Sequence, residues 1–238
     1  MKALFFDIDG TLVNKKGKLP DSARKALDQA RAKGHKLFLC TGRNEVQIYS
    51  FLKDYGFDGV VSAAGAMVSC EGKEIYHNFI GEEPLNRCID FFAGRPVIFG
   101  LQAASGNYMD KKSYQVFEDV AEKYHLDERV LKAVTNGMEI VDSLRGHRDV
   151  EKMFYFECPE SVEQVQQALG EELLVLEAAR RFRQRQRRGR DYQAGREKSH
   201  RNGARDQIFQ YRSGGHGGVR RRGERHRHAG IRGCGSRY

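Results

Sequence analysis

Nowhere does this chain carry eighteen or so consecutive apolar residues, so no segment reads as a membrane-spanning helix and no membrane partner is expected. Its start, Met1-Lys2-Ala3-Leu4, lacks the charged, apolar and small-residue regions of a secretion signal, and the expected location is cytoplasmic. The five cysteines, Cys40, Cys70, Cys88, Cys158 and Cys234, are odd in number and scattered. With no Cys-x-x-Cys pair and no His at zinc spacing, a disulfide framework and a zinc finger are excluded, and the five read as free thiols.

Lysine and branched aliphatics are nearly absent from one part of the chain. Residues 180–238 hold 18 Arg but only Lys198 as lysine, and Ile208, Val219 and Ile231 are their only branched aliphatics, too few for a core. With 19 of the 41 basic residues and 4 of the 32 acids, this segment carries +15, whereas residues 1–179 carry −6. The formal charge of +9 is therefore an average over two unlike segments. Arg180-Arg181, Arg187-Arg188 and Arg220-Arg221-Arg222 could neutralise phosphates in a nucleic-acid-binding arm. The plainer reading is a disordered basic segment.

What is present organises itself around Leu4-Phe5-Phe6-Asp7-Ile8-Asp9-Gly10-Thr11-Leu12. The apolar run reads as a buried strand that delivers Asp7 and Asp9, two apart and so on one side, to the strand's carboxyl end. That is where ligands bind in an open α/β sheet. Two neighbouring carboxylates need a positive partner, and a divalent cation is the natural one. The plain alternative is a strand ending in an Asx-type turn with solvated acids.

The segment Phe6-Asp7-Ile8-Asp9-Gly10-Thr11-Leu12 resembles the first motif of the haloacid-dehalogenase-like (HAD) phosphatases, hydrophobic residues followed by Asp-x-Asp-Gly-Thr. The resemblance implies a Mg²⁺-dependent phosphatase working through an aspartyl-phosphate. Asp7 would be the nucleophile and Asp9 the acid and base, and both would hold the metal, Asp9 through its main-chain carbonyl.

Further along, Asp21 opens an expected helix that stops at Gly34, and a strand over 36–40 ends in Thr41-Gly42-Arg43 before a helix over 45–52. A hydroxyl and amides at a strand-to-helix junction suit an anion, although a helix cap would look the same. In the resembled family a strand ending in Thr or Ser holds the transferring phosphoryl group, which makes Thr41, Gly42 and Arg43 the expected phosphate-binding residues. Cys40 beside them reads as a core thiol rather than a nucleophile.

A strand at 59–62 leads to Ala63-Ala64-Gly65-Ala66 and a hairpin turning at Glu71-Gly72. Many members of the Cof-type branch carry Asn where Ala64 stands. From about residue 82 a βαβ-type block follows that resembles the type IIB α/β cap. Its aromatics Tyr108, Tyr114 and Phe156 could touch substrate but read more readily as core. The expected organisation is a Rossmann-like parallel-sheet core over 1–81, the cap over 82–179, and the basic segment 180–238 in place of the rest of the core.

The family's third and fourth motifs, a Lys and Gly-Asp-Gly-x-Asn-Asp, do not appear in 180–238. A reading-frame slip near Ala178 to Arg181 explains this. With suitable codons, Val219 to His226 shifted by one base reads Phe-Gly-Asp-Gly-Gly-Asn-Asp-Ile, and Lys198 to Arg201 reads Lys-Ala-Thr-Gly. The substrate implied by the resemblance is a small phosphorylated metabolite such as a sugar phosphate, and no nucleic-acid partner is then expected. The alternative is a non-catalytic relative whose basic tail binds nucleic acid.

Overall fold

The computed structural model describes residues 1–14, 16–126, 135, 137–177 and 207–211. Lys198, Cys234 and the Val219–His226 segment lie outside them.

The first unit is a five-stranded sheet in the order β1-β2-β3-β4-β5, formed by β1 (Ala3–Phe6), β2 (Lys36–Cys40), β3 (Gly59–Ser62), β4 (Met67–Cys70) and β5 (Lys73–His77). The pairs β1–β2 and β2–β3 are parallel; β3–β4 and β4–β5 are antiparallel. Helix α1 (Asp21–Ala32) has an acid in its first turn and Arg31 in its last, complementing its dipole. It ends where Gly34, at φ +74°, lets the chain fold back with its N–H on the Arg31 carbonyl. Ile8, Leu27, Leu37, Leu39 and Leu52 make the fully buried centre of this unit. The β4–β5 hairpin turns where expected, with Glu71 and Gly72 both at positive φ (51° and 74°), the twist such two-residue turns require.

The helix expected over 45–52 is not continuous. A single 3₁₀ turn, Glu45–Gln47, breaks at Ile48 (φ −71°, ψ 129°), and α2 runs over Ser50–Tyr55. Arg43 Nη1 takes the Gln47 carbonyl at 2.9 Å, an acceptor that a continuous helix would use internally.

The second unit contains α3 (Glu82–Phe92), β6 (Ile98–Ala103), β7 (Asn107–Asp110), α4 (Lys111–Lys123), β8 (Met138–Val141), β9 (Val150–Phe156), α5 (Val162–Leu169), β10 (Leu173–Glu177) and β11 (Gln207–Tyr211). Its sheet order is β10-β11-β9-β6-β7-β8. Among the described residues only β7-α4-β8 is a βαβ crossover; β6 pairs antiparallel with both β7 and β9. No strand is expected from the sequence at β7, and the short 104–106 turn joining it to β6 permits only antiparallel pairing. Tyr108, Tyr114 and Phe156 pack against the cap's hydrophobic clusters, as core aromatics do.

Five residues of the basic segment depart from the expectation of disorder. Gln207–Tyr211 pairs antiparallel with both β10 and β9. This stretch, Gln-Ile-Phe-Gln-Tyr, carries no charge and three residues of high strand propensity, unlike the Arg-rich sequence on either side.

Candidate active site

The site forms where β1 and β2 end side by side. Parallel pairing sets Phe6 opposite Leu39, so the next residues, Asp7 and Cys40, emerge at the same level. Asp7 is exposed at this rim, and the Cys40 thiol is raised by burial and by the Asp7 carboxylate. A thiol so shifted is a poor nucleophile, but Cys40 is half-buried rather than the core residue expected. After Asp7 the chain turns tightly: Leu12 N–H donates to the Asp7 carbonyl at 3.2 Å and Val13 N–H to Ile8 at 2.8 Å, with Gly10 at φ +86°.

Thr41 is buried, with 5% of its surface exposed. Its N–H donates to the Val61 carbonyl and its own carbonyl accepts from Ala64, which ties the second motif to the turn after β3. Arg43 N–H donates to Thr41 Oγ1 at 3.2 Å. The hydroxyl proton is thereby left to donate to an anion.

Arg43 does not stand as a free phosphate ligand. Its Nε and Nη2 grip the Asp9 carboxylate at 2.7 and 2.9 Å, Nη2 also meets Tyr49 Oη at 3.0 Å, and the guanidinium lies 4.5 Å from the Tyr49 ring centroid. The hydrogen bonds it donates to Asp9 raise the guanidinium pKa against the opposing effect of burial.

Above the second motif lies the cap sheet. Asn107, Gln102 and Lys152 are cross-strand partners on β7, β6 and β9, and so form one row on one face. Asn44 Nδ2 donates to Asn107 Oδ1 (3.0 Å) and the Ala103 carbonyl (2.8 Å), Gln102 Nε2 donates to Gln47 Oε1 (3.0 Å), and Lys152 Nζ donates to the Gly42 carbonyl. None of these was singled out from sequence. The readable signal was the pair Glu151-Lys152, two charges inside the otherwise strand-like run Val150-Glu151-Lys152-Met153-Phe154-Tyr155-Phe156. At the junction of the two units, His77 on β5 bridges Glu74 (2.8 Å) and the buried Glu151 of β9 (2.7 Å).

For a metal, the chain offers the Asp7 carboxylate and the Asp9 carbonyl, hard oxygen donors of the kind Mg²⁺ takes. Among the described residues no group of three or more His, Cys, Asp or Glu is placed to hold an ion. Within the described residues the donor set is therefore short of an acid. Among the same residues no helix is long and apolar enough to cross a membrane.

The family model of the haloacid dehalogenase-like hydrolases matches residues 4–183. The chain belongs to this family. The match runs from the motif strand to the start of the Arg-rich segment, covering the first unit and the second as far as β10. Among curated proteins of Bacillus subtilis, YkrA, which carries a provisional phosphatase name, is 32% identical over 88 residues, 37% of this chain and 34% of its own. The 5-amino-6-(5-phospho-D-ribitylamino)uracil phosphatase YwtE is 24% identical over 155 residues, 65% of this chain and 51% of its own. This chain thus spans between about a third and a half of those relatives. Among solved structures, a HAD subclass IIB sugar phosphatase superposes with a TM-score of 0.60 at 22% identity, over 90% of this chain and 71% of that one. A haloacid dehalogenase-like hydrolase from B. subtilis gives 0.61 at 18%, over 89% and 73%. The shared fold is the α/β core with its IIB-type cap.

Proposed function

We propose that the chain is the core-and-cap portion of a phosphatase that hydrolyses a small phosphorylated metabolite, a sugar phosphate or a related phosphoester, through an aspartyl-phosphate. The observation that carries this is the pairing of β1 with β2, which brings Asp7 and Asp9 to the same rim as the buried Thr41. The phosphatase names of the relatives and the sugar phosphatase among the fold neighbours support the substrate class.

On this reading an Asp7 oxygen attacks phosphorus in line while the bond to the leaving oxygen breaks, and Asp9 gives that oxygen its proton. Asp9 then takes a proton from the water that hydrolyses the acyl phosphate. Thr41 Oγ1 donates to a non-bridging phosphoryl oxygen. Bound Mg²⁺ would supply charge neutralisation. Asp7 and Asp9 would be two of its ligands, with the third acid lying in the frame-restored fourth motif. The family match ends at residue 183, close to the change in composition at 180, which supports a reading-frame slip there.

Resequencing codons 177–182 tests the slip directly; an uninterrupted frame as given would remove it. In the frame-restored protein, Asp7→Asn should abolish hydrolysis of an aryl phosphate, because an amide cannot accept the phosphoryl group. Substantial turnover by that variant would overturn the assignment.

A further inference from the structure

Three features of the cap face set Lys152 apart. It is 4% exposed, its ammonium meets one acceptor, the Gly42 carbonyl, and its row-mates Gln102 and Asn107 also face the second-motif loop. Burial lowers its pKa to about 8, and Glu151 opposes that shift without cancelling it. An ammonium buried on a single backbone carbonyl is a poor way to stabilise a fold, since an apolar side chain of like volume would fill the space without the desolvation. The carbonyl it touches explains its presence better. Gly42 C=O and Arg43 N–H belong to one planar trans peptide and point in opposite directions. The cap holds one end of that peptide through Lys152, and the other end donates to Thr41 Oγ1.

We propose that Lys152 is a positioning residue through which the docked cap orders the phosphoryl-binding hydroxyl: its bond to Gly42 sets the Gly42–Arg43 peptide, and that peptide sets Thr41. This inference rests on the phosphatase reading for the role of Thr41, but the geometry of the relay does not. When the cap lifts, the peptide loses its outer anchor and Thr41 Oγ1 its fixed donor. Asn44 Oδ1 and Gln102 Oε1 are buried at this interface, acceptors that water would satisfy on opening.

The test uses the full 238-residue chain with Lys152→Met and Lys152→Arg, reading amide hydrogen exchange and affinity for tungstate, a tetrahedral dianion whose charge is constant between pH 7 and 10. In Lys152→Met the Arg43 amide should exchange at least tenfold faster, while amides of α1 and β9 keep their wild-type rates. Lys152→Arg, which can still donate to Gly42, should restore most of the protection. Wild-type tungstate affinity should weaken as pH passes about 8, and the Met variant should lack that inflection. Unchanged Arg43 exchange in the Met variant overturns the relay, as does acceleration spread over α1 and β9. Should the Met variant not fold, the wild-type profile decides: affinity flat across pH 7 to 10 overturns the proposal. Wild-type chain that binds no tungstate, but shows the Arg43 effect, overturns the phosphatase reading and leaves the relay standing.

Discussion

Arg43 holds Asp9 in a two-pronged grip, Nε to Oδ2 at 2.7 Å and Nη2 to Oδ1 at 2.9 Å, across the ends of β1 and β2. Both side chains are about a quarter exposed, so a lone surface pair would count for little. The fork and the Tyr49 ring beneath it give this pair its orientation. On the proposed reading the clamp favours the ionised Asp9 and fixes its direction, the state it needs when it takes a proton from water. In the frame-restored enzyme, Arg43→Lys keeps the charge but not the fork, and should lower kcat by roughly ten- to a hundredfold, part of the 10²–10⁴ that proton transfer contributes. KM should move less. Steady-state kinetics with an aryl phosphate checks this, and wild-type kcat in the Lys variant would separate Arg43 from Asp9's role.

Ala64 carries backbone strain. It sits at φ 57°, ψ 30°, in the left-handed region, directly after Ala63 at φ 48°. Its N–H holds the Thr41 carbonyl at 3.0 Å, so the conformation is needed by the second motif. Asn tolerates this region better than Ala. Ala64→Asn should therefore stabilise the chain by about 0.5–1 kcal/mol, read as a higher urea midpoint at constant slope. A lower midpoint would show that the turn's geometry is not what limits position 64.

Much of this was legible beforehand, and the boundary has physical causes. The Asp7/Asp9 strand, the α1 stop at Gly34 and the Glu71-Gly72 hairpin are written in local pattern and turn chemistry. The grip of Arg43 was not legible, because a loop arginine's partner depends on where β1 and β2 end in space. It also breaks the helix expected over 45–52 by capturing the Gln47 carbonyl. The polar row Asn107-Gln102-Lys152 depends on the register of three strands, one of them unseen in the sequence. No local signal encodes such a register.

His77 and Glu151 give the joint between the two units a pH dependence of defined sign. Burial pulls the His77 pKa down, but Glu74 and Glu151 on its two ring nitrogens more than offset this, and the net shift is upward. Burial also raises the Glu151 pKa, which His77 only partly reverses. Both groups hold protons to higher pH in the folded chain than in the unfolded one. Their contribution is present at low pH and is lost as pH climbs through the folded values, above about 6.5 for the histidine. His77→Gln should flatten the decline in stability between pH 6 and 8 and cost roughly 1–3 kcal/mol at pH 6, where Glu151 loses its charged partner. Urea unfolding at the two pH values measures both, and an unaltered slope would take His77 out of the titration.

The edge position of β1 makes the last prediction. Among the described residues β1 pairs only with β2, and its pattern runs from exposed Ala3 to half-buried Leu4, Phe5 and Phe6. A strand carrying the first motif of a doubly wound sheet belongs in the middle, flanked on its other side by a later strand and buried on both faces. The segment proposed to follow in the restored frame supplies that strand. In the chain as given, the β1 amides that point away from β2 should exchange freely and the open edge should favour self-association. Frame restoration should slow those amides a hundredfold or more and add several kcal/mol from burial of Leu4, Phe5 and Phe6, at about 1.5–3 kcal/mol for each large side chain fully buried. Exchange measured residue by residue over Ala3–Phe6 in both chains decides the matter. Equal protection would mean that β1 is already covered in the chain as given, and the frame-slip account of residues 180–238 would fail with it.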